Sequence, residues 1–269
     1  MATLPRFLAL LLVVTGFAGP ALALYDGPVE SFSGAQDARL KPGFRAACLE
    51  SGKRGTATDV QGAWTTELRR NDAGLAIAVR FLADSGLTNE ERGADNPFFT
   101  LDALYRDDGS STANAHIGDL DLAANPATAR RIDALLQLRI GALDAQMRAP
   151  SQLLYGVEID DPGTGRSRDR DEARRHAFTS GVNLVEWHQR ARVAGVVRLN
   201  ERSAVVVNHA DSGRAILGGR FLRYEAEGYR LHDRASGLIA QERRTIRYLS
   251  GDEEVRRDTV AIDCEIEAL

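Results

Sequence analysis

From Val182 to the end of the chain, apolar residues alternate with polar ones in short stretches, and gaps of three to five residues separate the stretches. That pattern confines the chain to an antiparallel sheet. Gaps this short can close hairpins, but they cannot hold the crossover helices that parallel strands require. The alternation predicts strands over 182–199, 203–208, 214–224, 228–233, 237–249 and 255–266, the first bent or bulged near Gly195. The predicted turns carry Asn200-Glu201, Asp211-Ser212-Gly213, Glu227-Gly228, Ser236-Gly237 and Ser250-Gly251-Asp252.

Upstream the same signal recurs. Strands are expected over 60–70 and 75–82 around the turn Asn71-Asp72-Ala73-Gly74. In the second of these Leu75, Ile77, Val79 and Phe81 alternate with Ala76, Ala78 and Arg80. A further strand over 98–106 is closed by Asp107-Asp108-Gly109-Ser110. The segment 24–55, rich in Gly, Pro and Ser, reads as irregular, and the charged stretch 160–175 reads as a solvated loop. One helix stands out, over about 126–148. Asn125 can cap it, Pro126 suits its first turn, and Ile132, Leu135, Leu136, Ile140, Leu143 and Met147 form one apolar stripe. The fold class is mainly β (α+β): a large curved antiparallel sheet or half-barrel with that helix packed on it.

The first residues bear on compartment. Arg6 precedes an apolar run over 7–18, Gly19-Pro20 breaks it, and Ala21-Leu22-Ala23 supplies the small residues a signal peptidase reads. The run is too short for a spanning helix, which needs roughly 20 apolar residues. The reading is a signal peptide over 1–23, cleaved after Ala23, and one β-rich exported domain over 24–269 with no transmembrane segment, periplasmic or secreted. Arginine supplies nearly all the positive charge, with Lys41 and Lys53 the only lysines, a bias that fits a bacterial genome of high GC content.

Two cysteines, Cys48 and Cys264, lie in that exported part. An even count in an oxidising compartment favours a disulfide that ties the two ends of the domain together; the alternative is two separate buried thiols. Cys264 stands in the alternation Val260, Ile262, Cys264, Ile266, the buried side of a last strand.

Charge excludes one class of partner. The formal net charge is −4, and loss of Arg6 takes it to about −5. Nothing in that balance attracts nucleic acid or an anionic membrane.

Motifs for catalysis or metal binding are weak. Asp211-Ser212-Gly213 after Val205-Val206-Val207 matches the turn that holds an aspartic protease carboxylate. Arg214 and the immediate Ile216-Leu217-Gly218 depart from that family, and a hairpin turn explains the residues equally well. The histidines His116, His176, His188, His209 and His232 have no zinc-ligand spacing. His188, beside Trp187, is a candidate pocket residue, but isolated strand histidines are more often structural. Asp119/Asp121 and Glu253/Glu254 are carboxylate pairs best read as facing solvent. No G-x-S-x-G elbow, S-x-x-K or phosphate loop is present. No catalytic, metal or cofactor residue is therefore assigned, no cofactor is expected, and the balance leans away from an enzyme.

Two short stretches echo each other: 68–75 (LRRNDAGL) and 231–238 (LHDRASGL) both place a Leu six residues before a turn Gly followed by Leu. Convergent hairpin chemistry accounts for this better than duplication does. The second stretch belongs to the hairpin over 229–242, in which Asp233, Ser236, Gly237 and Leu238 form Asp-x-x-Ser-Gly-Leu. That hairpin resembles one in periplasmic lipoprotein carriers and related exported domains. The resemblance spans about 14 residues and implies a curved antiparallel sheet with an apolar cavity that shields acyl chains. It carries over no binding residue. The expected function is a non-enzymatic envelope carrier or binding protein whose partner is a lipid or other apolar ligand. The alternatives are an assembly partner bound to another envelope protein and an exported hydrolase with an unrecognised site.

Overall fold

The computed structural model describes residues 24–30, 40–54, 57–84, 99–108, 110–117, 159–161, 166–167, 172–179, 182–199 and 201–269. Thirteen strands run through them: β1 (Phe44–Arg54), β2 (Ala57–Asn71), β3 (Gly74–Asp84), β4 (Phe99–Arg106), β5 (Ser111–Ile117), β6 (Ile159–Asp161), β7 (Arg166–Ser167), β8 (Glu172–Thr179), β9 (Val182–Leu199), β10 (Arg202–Leu217), β11 (Arg220–Asp233), β12 (Ile239–Ser250) and β13 (Glu253–Ala268). Eleven form one open antiparallel sheet in the order β5-β4-β3-β2-β1-β13-β12-β11-β10-β9-β8, and β6 and β7 pair separately. Every neighbouring pair but one follows in sequence; the exception is β1 with β13, which joins two meanders into a single sheet. The curved antiparallel sheet thus matches the expectation, and it stays open between β5 and β8. The predicted helix over 126–148 lies outside the described residues, as do Asp119 and Asp121.

Several boundaries differ from the sequence reading, each for a physical reason. The segment 24–55 is not irregular throughout, because β1 occupies residues 44–54 of it. Its inward residues Ala46 and Cys48 are small, so the alternation is muted, and Ser51 and Gly52 look like turn signals. Asp211-Ser212-Gly213 is no turn. β10 runs straight through it, and the chain reverses at Gly218-Gly219, both with positive φ. Glu227-Gly228 likewise lies inside β11. The charged stretch 160–175 holds β7, parts of β6 and the start of β8. At Gly195 the expected bulge is present: Val206 pairs with Gly195 and Val207 with Val193, which leaves Ala194 over.

The disulfide forms. Cys48 and Cys264 are partners on β1 and β13 and are bonded across a sequence separation of 216. A loop of that length is worth about 5 kcal/mol in the chain-entropy model, an upper figure. The bridge sits where the two meanders meet, so it locks the one pairing that is far apart in sequence.

Short segments finish the edges. Glu30 exchanges backbone hydrogen bonds of 2.8 and 2.9 Å with Val196, covering part of β9 that β8 does not pair with. Tyr25 packs edge-on against Tyr229, with ring centroids 5.3 Å apart, and its backbone N–H donates to Asn208 Oδ1 at 3.2 Å. The β11–β12 turn is held by Asp233, whose Oδ2 accepts from the Ser236 N–H at 2.8 Å and from the Ser236 hydroxyl at 2.6 Å. Leu238 then packs into the apolar cluster of β1 to β4. The Asp-x-x-Ser-Gly-Leu motif is thus a turn and an anchor.

Candidate functional site

Antiparallel partners point to the same side of a sheet, so the register fixes which residues share a face. One face is buried across most of the sheet, and it has two chemically distinct parts.

The first part spans β1 to β4 and the C-terminal half of β13. Leu68, Leu75, Ile77, Val79, Phe81, Leu101 and Ala46 are buried there, and Trp64 packs on Phe81 at 5.9 Å between ring centroids. Ile262, Cys264 and Ile266 extend it from β13. Each large side chain fully removed from water contributes about 1.5–3 kcal/mol.

The second part spans β10 to β13 on the same face. Along the register, Val207 meets Arg230 and Glu242; His209 meets Gly228 and Arg244; Asp211 meets Ala226, Ile246 and Asp258; and Gly213 meets Tyr224, Tyr248 and Arg256. His209, Asp211, His232, Glu242 and Asp258 are buried polar residues within a sheet, an arrangement that costs free energy unless partners compensate. Two bidentate pairs do so. Arg230 donates from Nε and Nη2 to Glu242 at 3.0 and 3.3 Å, and Arg256 donates in the same fork to Asp258 at 2.7 and 2.9 Å. The Arg256 guanidinium also stands 5.4 Å from the centroid of the Tyr248 ring.

Protonation follows from these surroundings. Burial alone would raise the Glu242 carboxyl, but Arg230 and Arg244 beside it outweigh burial and hold it at about 2. Burial pushes His209 down, Arg230 and Arg244 push it further, and the ring rests at about 3 despite Glu242. His232 is likewise lowered, by burial and then by Arg230 and His209. Both imidazoles are neutral at pH 7.

Two groups in this strip stay unsatisfied. His209 is 3% exposed, and neither of its ring nitrogens has a hydrogen-bond partner among the described residues. The buried Nε of Arg244 has none either, although the Glu242 and Asp211 carboxylates act on its charge. A buried polar group left without a partner costs about 1–3 kcal/mol. Between these two residues lies Gly228. A Cβ there would collide with the Arg243 carbonyl oxygen and crowd the Arg244 Cα, so only glycine fits and the β12 backbone fills the place of a side chain.

The sequence candidates fall as follows. His209 and His232 join the strip, and so does Asp211, now as a strand residue. His188 pairs with Ser212, one position out of step with the buried face, and His116 and His176 lie on β5 and β8. Glu253 and Glu254 are exposed, and Glu254 pairs with Arg257 at 2.8 Å. Sequence reasoning missed Arg230, Glu242, Arg244, Arg256 and Asp258. The signal was present: charged residues stand in phase with the apolar positions of strands read as amphipathic.

The opposite face holds a small apolar cluster of Val197, Ala204, Val206 and Leu231 under Tyr25 and Tyr229. Arg80–Asp102, Arg243–Asp263 and Arg247–Glu225 also pair there at 2.7–2.8 Å.

No family model matches the chain. No curated protein matches it. Among solved structures, the chain is similar to an exported protein with a YmcC-like fold from Bacteroides fragilis, at 6% identity and a TM-score of 0.31, covering 88% of this chain and all of that one. It is also similar to a DUF1329 family protein from Desulfovibrio piger, at 8% identity and a TM-score of 0.23, covering 85% of this chain and 86% of that one.

Proposed function

We propose that the protein is a non-enzymatic binding or carrier protein of the cell envelope, and that an apolar ligand lies against the buried face of its sheet. The observation that carries this reading is the apolar half of that face. Leu68, Ile77, Val79, Phe81 and Leu101 line it continuously across three strands. A sheet of this kind can hold an apolar molecule as readily as its own chain. The Cys48–Cys264 bond supports an oxidising compartment outside the cytoplasm.

Hydrolysis fits the same residues less well. His209, Asp211 and Glu242 converge, but the described rows of the charged strip contain no serine, threonine or free cysteine to act as nucleophile. A histidine held at about 3 is also a weak base at neutral pH.

Native mass spectrometry of the exported protein, paired with solvent extraction, tests the carrier reading. A discrete added mass that extracts as a lipid or other apolar molecule is expected. A clean apo mass, with no uptake of added lipid, would overturn it.

A further inference from the structure

Resting on the reading of residues 1–23 as a signal peptide, we propose that residues 24–30 are a strap that closes over β9 to β11 only after cleavage behind Ala23, so that processing completes the face of the sheet opposite the charged strip. The strap crosses three strands. Glu30 exchanges its two backbone hydrogen bonds with Val196 on β9, the Tyr25 N–H donates to Asn208 on β10, and the Tyr25 ring stands edge-on against Tyr229 on β11. Tyr25 also packs on the apolar cluster of Val197, Ala204, Val206 and Leu231. The seat is shaped for this segment. A Cβ at Gly195 would come within 2.5 Å of the Glu30 carbonyl oxygen and 2.7 Å of the Val29 Cβ, so a glycine at 195 lets the strap lie against β9.

The order of events follows from how close the cut lies to the first docked residue. The bond to be broken joins Ala23 to Leu24, and Leu24 alone separates it from the Tyr25 N–H. One residue of extended chain spans about 3.5 Å. Leu24 and Tyr25 are themselves half-buried against the sheet. A peptidase cleaves exposed backbone that it can surround, and no protein wall enters a gap of one residue. The closed strap and the peptidase-bound strap therefore exclude each other. A strap that closed first would hide the bond, and cleavage would then wait for local opening.

The test uses the full chain in detergent micelles with purified signal peptidase, added either at once on dilution from urea or after refolding is complete. The refolded chain should be cut about tenfold more slowly than the freshly diluted one. Tyr229→Ala and Asn208→Leu weaken the seat and lie far from the bond in sequence. Each should speed the cutting of the refolded chain by about fivefold and leave the freshly diluted rate unchanged. Equal rates for the two states of the parent would overturn the proposal, and so would a refolded Tyr229→Ala that is cut as slowly as the parent. The intact mass of the product separates the two readings. A product that does not begin at Leu24 removes the signal assignment, whereas equal rates with a cut at Leu24 remove only the strap. The comparison on the parent chain needs no variant, so a misfolded Tyr229→Ala does not protect the proposal.

Discussion

The two halves of the buried face obey one rule of construction and have opposite energetics. In β1 to β4 the inward residues are mostly apolar, Glu50 and Thr66 excepted; in β10 to β13 many inward residues are charged. Burial of Leu68 or Val79 stabilises the fold directly, because water is released from apolar surface. Burial of Arg230 with Glu242 does not. Removing two charges from water costs several kcal/mol per ion, and their attraction only about returns it. A sheet that needed nothing but stability would be apolar throughout. The charged half therefore points to a use, and the apolar half holds the structure that the use requires.

The largest expected effect comes from breaking that balance on one side. Arg230→Met leaves the Glu242 carboxylate buried without its bidentate partner and should cost about 3–5 kcal/mol. The double variant Arg230→Met/Glu242→Met should recover most of the loss, because two apolar side chains can replace a buried pair at little cost. Urea unfolding of the parent, both single variants and the double variant measures this as a coupling energy. A double variant as unstable as Arg230→Met would show that the charged half stabilises the fold in its own right, and the contrast with the apolar half would disappear.

Acid should separate the halves next. His209 is held at about 3 against an ordinary 6.5, so the unfolded chain binds a proton that the folded chain refuses between those values. The contribution is complete above about pH 6.5 and is lost as pH falls toward 3. Its slope is about 1.4 kcal/mol per pH unit where the difference is one full proton. His232 shifts in the same direction and adds to the slope. Glu242, held at about 2 against 4.5, adds a further loss below pH 4.5. Stability should therefore decline from pH 7 to pH 5 through the histidines alone. Replacing His209 by Leu should flatten that decline, and a parent chain equally stable at pH 7 and pH 5 would contradict it. The residues of β1 to β4 on this face contain no histidine, so they contribute nothing to this window.

Much of the sheet was legible because apolar alternation and glycine-bearing turns are local signals. The hairpins at Asn71–Gly74 and Ser250-Gly251-Asp252 and the bulge at Gly195 follow from a few adjacent residues. Legibility failed where a strand breaks its own pattern. Asp211-Ser212-Gly213 has every mark of a turn, yet it lies in the middle of β10 because partners on β9 and β11 pair with it on both sides. The same break hid the candidate site. An inward Asp211, Arg230 or Arg244 looks in sequence like a solvated residue, and only the register across four strands shows that these side chains share a face. The disulfide was legible as a pairing of two cysteines, whereas its place at the β1–β13 seam was not.

The smallest effect sharpens the comparison most, because it involves the same residue types. Glu254 and Arg257 form a bidentate pair of 2.9 and 2.8 Å, as short as Arg230–Glu242, but both side chains lie in solvent. Water screens that pair, and ordering two long side chains offsets much of its attraction, so it should be worth less than about 1 kcal/mol. Arg257→Ala should therefore shift the urea midpoint only slightly, and 0.5 M salt should abolish the shift. The cost of Arg230→Met should be nearly the same in salt, since buried charges are poorly screened. If Arg257→Ala costs as much as Arg230→Met, burial is not what distinguishes the charged half. The strip between β10 and β13 would then be an ordinary set of ion pairs. If the two differ by several-fold, desolvation and not the closeness of the contact decides, because the exposed pair is the shorter of the two.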